Sequence, residues 1–147
     1  MTDRLFNITN RLKMTFNSGR NSSLIDSDGK EYIDCWNDEG VASLGYNSKE
    51  LLDAMSTFFQ SGSQHRTPRA FHSEVRERHA ETICQMTGYD RVFYANSGAE
   101  ANETAIKLAR LYQSKHGNGK LGVVTVRGNF HGRTAFAMEC SDSTSSP

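Results

Sequence analysis

The feature that most restricts the fold is a strand–turn–helix–strand run in the second half of the chain. Arg91-Val92-Phe93-Tyr94-Ala95-Asn96 reads as a short apolar strand. Ser97 then opens a helix, and the stripe Ala101, Ala105, Leu108 and Tyr112 carries it to about His116. Lys120 to Arg127, with Leu121, Val123, Val124 and Val126, reads as a second buried strand. A helix between two such strands is the βαβ unit of a parallel sheet, with a right-handed crossover. Ligands in such sheets bind at the carboxyl ends of the strands. The loops Asn96-Ser97-Gly98 and Gly128 to Arg133 stand at those ends, so they are expected to face one crevice.

The first half reads differently. Residues 1–22 are punctuated by Asn, Ser and Gly and predict an extended arm outside the core. Asp28-Gly29 lies between the apolar pairs Leu24-Ile25 and Tyr32-Ile33, which predicts a hairpin. Residues 36–47 read as a loop. Ser48 can cap a helix to about Gln60, with Leu51, Leu52, Met55, Phe58 and Phe59 on one face. Gly62 to Phe71 reads as a loop. A helix from about His72 to Met86 follows, ended by Gly88, with Val75, His79, Ile83 and Met86 on its apolar side.

Composition narrows the function. Seventeen basic and 17 acidic residues cancel, which excludes the basic excess that nucleic acids and acidic membranes select. The 36% hydrophobic residues, with 12 glycines added, approach the apolar share of an ordinary globular domain. No run nears the roughly 20 apolar residues of a membrane helix, and the start lacks a secretory pattern. Cys35, Cys84 and Cys140 are odd in number and have no CxxC spacing. They read as free thiols of a reducing compartment, and no metal site is expected. The polar ending Ser141 to Pro147 suits a frayed tail or a loop cut short.

Two segments carry chemistry. Ser97 and Glu100 have capping-box spacing at the start of the third helix. Gly98 removes a side chain where the backbone can approach a ligand. The remaining first-turn amides and the roughly +0.5 charge of a helix start suit a phosphate. The same residues also suit a plain capped helix. In Phe130-His131-Gly132-Arg133, an aromatic and an Arg share one loop and could stack on a flat ring and clamp a carboxylate. The plainer alternative is a surface Arg beside a Phe that covers the core. A third cluster mixes Arg66, Arg69, Arg76 and Arg78 with His65, His72 and His79. It is balanced by Glu74, Glu77 and Glu81 and reads as a solvated helix face.

Three stretches stand in order: Asp26 to Asp34, Arg91 to Arg110 (with Ser97-Gly98-Ala99-Glu100-Ala101-Asn102-Glu103), and Gly128-Asn129-Phe130-His131-Gly132-Arg133-Thr134. Together they closely resemble the amino-terminal part of the class III aminotransferases, nearest the acetylornithine and ornithine aminotransferases. The resemblance runs from about residue 22 to 139. One departure is Gly45-Tyr46-Asn47-Ser48, where the family usually has Gly followed by His-x-His-Pro.

The resemblance implies an α/β enzyme of fold type I dependent on pyridoxal 5′-phosphate (PLP). Residues 1–70 would be the arm and a small-domain segment of hairpin and helices. Residues 71–147 would begin the cofactor-binding large domain, with its first βαβ units in an incomplete sheet. The backbone at Gly98 and Ala99 would hold the cofactor phosphate beside Ser97, and Phe130 would stack on the pyridine ring. His131 belongs to the same cofactor set, and Arg133 would receive the substrate carboxylate. An amino donor such as ornithine and a 2-oxo acid are the implied substrates. A cytoplasmic homodimer, or a complementing chain, is the implied assembly, with no nucleic-acid or membrane partner. The family's Schiff-base Lys and the Asp that pairs with the pyridine nitrogen lie beyond the stretch matched here. Lys107, Lys115 and Lys120 do not match that Lys. No catalytic residue is therefore assigned, and the 147 residues alone are expected to be inactive. The alternative is an inactive protein that binds a phosphate ligand or a partner subunit.

Overall fold

The computed structural model describes residues 13–62, 70–117 and 119–142. Two compact units divide the chain between Phe71 and His72.

In the first unit, β1 (Phe16–Arg20), β2 (Ser23–Asp26) and β3 (Glu31–Ile33) form one antiparallel sheet in that order. Asp26 builds the β2–β3 turn. Its side chain accepts the amides of Asp28 and Lys30, both at 2.9 Å. Gly29 takes φ +80°, which a residue without Cβ adopts cheaply. Ser23 then faces Ile33, and Ile25 faces Glu31.

Strand β1 corrects the expectation of an irregular arm over residues 1–22, of which 1–12 lie outside the described residues. Its side chains are mostly polar, but a ladder is made by backbone groups, and an edge strand tolerates polar side chains. Phe16 adds an edge-on contact to Tyr32 at 5.7 Å between ring centres.

The 36–47 segment contains a 3-10 turn at Asn37–Gly40 and is tied down at its end by Tyr46. Tyr46 exchanges backbone hydrogen bonds with Asn21 at 2.8 and 3.0 Å. Its hydroxyl donates to the Asp34 carboxylate at 2.7 Å. The same carboxylate accepts the amides of Trp36 and Asn37 at 2.8 and 2.9 Å. These bonds, the Tyr46 hydroxyl first, hold the Asp34 carboxyl below its ordinary pKa.

Helix α1 (Lys49–Gln60) starts at Ser48, whose side chain accepts the Leu51 amide. Its apolar residues Leu51, Leu52, Met55 and Phe59 are all about half exposed.

The second unit begins with α2 (Glu74–Thr87), capped by Ser73 and closed by Gly88 at φ +75°. His79 stacks on Tyr94 and meets its hydroxyl at 2.9 Å, which seats the 91–95 segment on this helix. Segments 91–95 and 120–126, expected as strands, are neither helix nor ladder. A strand needs a hydrogen-bonded neighbour about 4.8 Å away. Neither segment makes a backbone hydrogen bond to the other among the described residues.

Between them runs α3 (Gly98–His116), and α4 (Ala135–Glu139) packs against it. Ala137 is fully buried and Cys140 is 5% exposed, so the tightest packing sits here. The inner face of α3 is Ala99, Asn102, Glu103, Ile106 and Arg110, all half-buried and spaced three or four apart. Arg110 lies over the Phe136 ring at 5.3 Å. This corrects the expected stripe. Leu108 and Tyr112 are 56% and 63% exposed, and Ala101 and Ala105 are exposed too. Apolar spacing marks a face able to pack, whereas contact with α4 is made largely by polar and small residues. Helix α4 itself was not expected. Five residues span little more than one turn, too short for a periodic signal.

Candidate functional site

The start of α3 is built by reciprocal capping. Ser97, in extended conformation, accepts the Glu100 amide at 3.2 Å. The Glu100 carboxylate accepts the Asn96 amide at 2.7 Å, one residue earlier than a standard capping box would place it. The Ala101 amide bonds the Ser97 carbonyl at 3.0 Å. The cap thus uses the amides of Asn96, Glu100 and Ala101. Those of Gly98 and Ala99 have no acceptor among the described residues. A Cβ built on Gly98 would meet nothing within 4 Å. The sequence therefore leaves two adjacent amides at the positive end of a 19-residue helix with open space beside them.

The 128–133 loop is brought to this helix start. Gly132, at φ +128°, lies so near Ala99 that a Cβ on it would come 2.5 Å from the Ala99 Cβ. The Asn102 side-chain amide donates to the His131 carbonyl at 2.7 Å. The Glu103 carboxylate accepts the Thr134 hydroxyl at 2.6 Å and the Ala137 amide at 3.3 Å. The Thr134 hydroxyl, foremost, holds the Glu103 carboxyl below its ordinary pKa.

The loop also holds its own shape. Asn129 contacts the His131 ring at 3.0 Å, and the His131 amide donates to Ser141 Oγ at 2.9 Å. Asp142 closes the loop by donating its amide to Asn129 Oδ1 at 2.8 Å and accepting the Gly128 amide at 3.2 Å.

Phe130 is 52% exposed, and the Arg133 guanidinium lies 5.3 Å from its ring centre. Among the described residues, Arg133 has no carboxylate within ion-pair distance. The structure joins Ala99 to Gly132, Asn102 to His131, and Phe130 to Arg133. Neither Phe130 nor Arg133 bonds Ser97, Gly98 or Ala99. Asn102 and Glu103 had no role assigned from sequence. Their three- and four-residue spacing from Ala99, which places polar groups on the face of the glycine-flanked start, is the signal that marks them.

The basic cluster separates. Arg66, Arg69 and His65 lie outside the described residues. His72 and Arg78 pair with Glu77 and Glu74 at 3.6 and 3.9 Å, on exposed side chains. Among the described residues, no group of three His, Cys, Asp or Glu could hold a metal, and no helix is long and apolar enough to cross a membrane.

This helix start, with its docked glycine loop, belongs to a transferase family. Residues 7–146 match aminotransferase class III, and the chain is a member of that family. Acetylornithine aminotransferase of Wolinella succinogenes is 39% identical over 129 residues, which cover 86% of this chain and 32% of the relative. The corresponding protein of Ralstonia nicotianae is 37% identical over 141 residues, covering 93% and 35%. An ornithine aminotransferase of Toxoplasma gondii, with PLP at partial occupancy in its active site, has a TM-score of 0.83 at 27% identity. That match covers 95% of this chain and 33% of the other. The chain spans about a third of the length of these relatives. Its mixed α/β architecture is that of the amino-terminal part of such transferases.

Proposed function

We propose that the chain is the amino-terminal part of a PLP-dependent transaminase. It would move an amino group from an ornithine-like donor to a 2-oxo acid. The observation that carries this reading is the seating of Gly132 on Ala99, beside two amides that the helix cap leaves without acceptors. The residues suit the cofactor. A phosphate finds two N–H donors and a helix dipole at Gly98 and Ala99, with Ser97 alongside. A flat ring finds the exposed face of Phe130, with His131 next in the chain. A substrate carboxylate finds the planar fork of Arg133, which no carboxylate of the described residues neutralises.

When bound, the cofactor supplies an electron sink for charge that develops at the substrate Cα. The chain's own residues bind and orient. Gly98 and Ala99 fix the anionic end, Phe130 sets the plane of the ring, and Arg133 sets the direction of the substrate. No residue of this chain is assigned to proton transfer. The 147 residues by themselves are thus proposed to bind without turning over.

Residues 1–70 would be the arm and small-domain segment, and residues 71–147 the beginning of the large domain. Exposed apolar residues in each unit, Trp36 and Val41 at 71% and 78% in the first and Val124 at 98% in the second, support contact with a partner. A homodimer or a complementing chain in the cytoplasm would supply it.

Titration with inorganic phosphate, followed through backbone amide resonances, tests the reading. Shifts centred on Gly98 and Ala99 are expected. Shifts scattered over the surface, with those two amides unmoved, would remove the anion site and the function built on it.

A further inference from the structure

We propose that Asn102 and Glu103 are positioning residues that set how the site discriminates a ring-bearing phosphate ester from phosphate alone. The inference rests on the reading of Gly98 and Ala99 as the anion site. It goes beyond that reading by assigning the coupling between the anion end and the ring end of the site.

The two anchors bracket the loop. Asn102 holds the His131 carbonyl, one residue after Phe130. Glu103 holds the Thr134 hydroxyl, one residue after Arg133. Gly132, between the anchors, rests on Ala99. Each side chain proposed to touch a ligand thus sits one residue from a fixed point on α3. The same helix carries the Gly98 and Ala99 amides at its start. The distance from anion to ring is therefore set by one rigid element and two side-chain hydrogen bonds.

The bonds from Asn129 and Asp142 close the loop upon itself without α3. Removing an anchor should accordingly undock the loop while its internal turns persist. The helix cap at Ser97 and Glu100 uses neither Asn102 nor Glu103, so the anion site should outlast the loss of either. Glu103 makes two hydrogen bonds as an acceptor. A Gln there keeps a carbonyl oxygen able to accept both.

The test uses the 147-residue chain with Asn102→Ala, Glu103→Ala and Glu103→Gln. The first readout needs no ligand. Cys140, which follows α4, is 5% exposed, whereas Cys35 is exposed, so thiol labelling of Cys140 relative to Cys35 reports whether the segment after the loop stays docked. Both Ala variants should label Cys140 about tenfold faster, with Glu103→Gln near the parent, the change expected for an undocking of about 1.4 kcal/mol. Unchanged labelling in both Ala variants overturns the clamp.

The second readout compares the affinities of pyridoxine 5′-phosphate and inorganic phosphate. The first probe lacks the aldehyde that reacts with lysines. The Ala variants should lose affinity for the ester at least threefold and keep that for phosphate, with Glu103→Gln restoring the ratio. Equal losses for both probes would leave only a structural role and overturn the positioning one. A parent chain that binds neither probe overturns the function reading itself, and positioning with it, even where Cys140 labelling follows the anchors.

Discussion

Gly132 packs directly on Ala99. A Cβ at position 132 would stand 2.5 Å from the Ala99 Cβ and 2.9 Å from its Cα. Residue 132 also holds φ +128°, which L side chains rarely adopt. Both conditions demand glycine. Gly132→Ala is therefore expected to cost about 1–3 kcal/mol from strain and overpacking. Urea unfolding of the variant measures it, and a loss under about 0.5 kcal/mol would mean that the loop relaxes away from α3 at little cost.

Position 98 behaves in the opposite way. Nothing lies within 4 Å of a Cβ built there, so Gly98→Val should leave the fold intact. It should nevertheless crowd a phosphate on the adjacent amides and weaken binding about tenfold or more, equivalent to about 1.4 kcal/mol. Isothermal titration of parent and variant decides. Equal affinities in two folded proteins would place the anion elsewhere.

Among the described residues, the Ser97 hydroxyl is the side-chain acceptor of the Glu100 amide. Ser97→Ala should destabilise the second unit by about 1 kcal/mol, the usual value of an N-cap. Ser97→Asp should retain most of that stability, because a carboxylate caps as well as a hydroxyl does. Circular dichroism during thermal unfolding separates the two variants, and identical losses would argue that the hydroxyl is not the cap.

Acid should act on the first unit through Asp34. Its carboxyl lies below the ordinary value of 3.8 because the Tyr46 hydroxyl, then the Asn37 and Trp36 amides, favour the charged form. A depressed carboxyl pKa contributes stability that is complete above the unfolded pKa and lost as pH falls through the folded one. Tyr46→Phe removes the largest of these bonds. The stability difference from the parent should hold steady from pH 7 to about 5 and narrow as pH falls below 3.8. Fluorescence of Trp36, the single tryptophan, follows it. A difference that ignores pH would take the carboxylate out of the account.

Mixed with PLP, ornithine or acetylornithine and 2-oxoglutarate, the 147-residue chain should give no turnover above free PLP. A positioned acid or base is worth about 10²–10⁴-fold, and an ordinary Lys near pKa 10.4 is mostly protonated at neutral pH. A single-turnover assay on protein of verified mass tests this. Rapid turnover would assign a catalytic amine to Lys107, Lys115 or Lys120.

Features governed by local chemistry were legible in the sequence. Ser48 and Ser97 cap helices, Gly88 ends one, and Asp28-Gly29 turns a hairpin, each through neighbours a few residues away. Ser73 is the exception, because apolar spacing alone starts the second helix near His72, two residues ahead of Glu74. Strand β1 was hidden because its pairing with β2 depends on backbone groups and not on its polar side chains. Apolar periodicity points away from the inner face of α3, whose contacts run through Asn102, Glu103 and Arg110. The meeting of Ala99 with Gly132 joins segments some thirty residues apart, a separation that no local pattern encodes.

That separation has a consequence for the order of events during synthesis. Every pairing in the sheet joins neighbours, such as Arg20 with Ser23 and Ile25 with Glu31. Hairpins of this kind close in about 1–10 μs. The anchors from Asn102 and Glu103 reach across 29 to 34 residues. At roughly 5–20 residues per second, a ribosome needs several seconds to travel from Ile33 to His131. The nascent sheet therefore has ample time to form before the loop that completes the helix start exists. Between Gly98 and His131 lie 33 residues, so for roughly 2–7 s the start of α3 exists without the loop that docks on it.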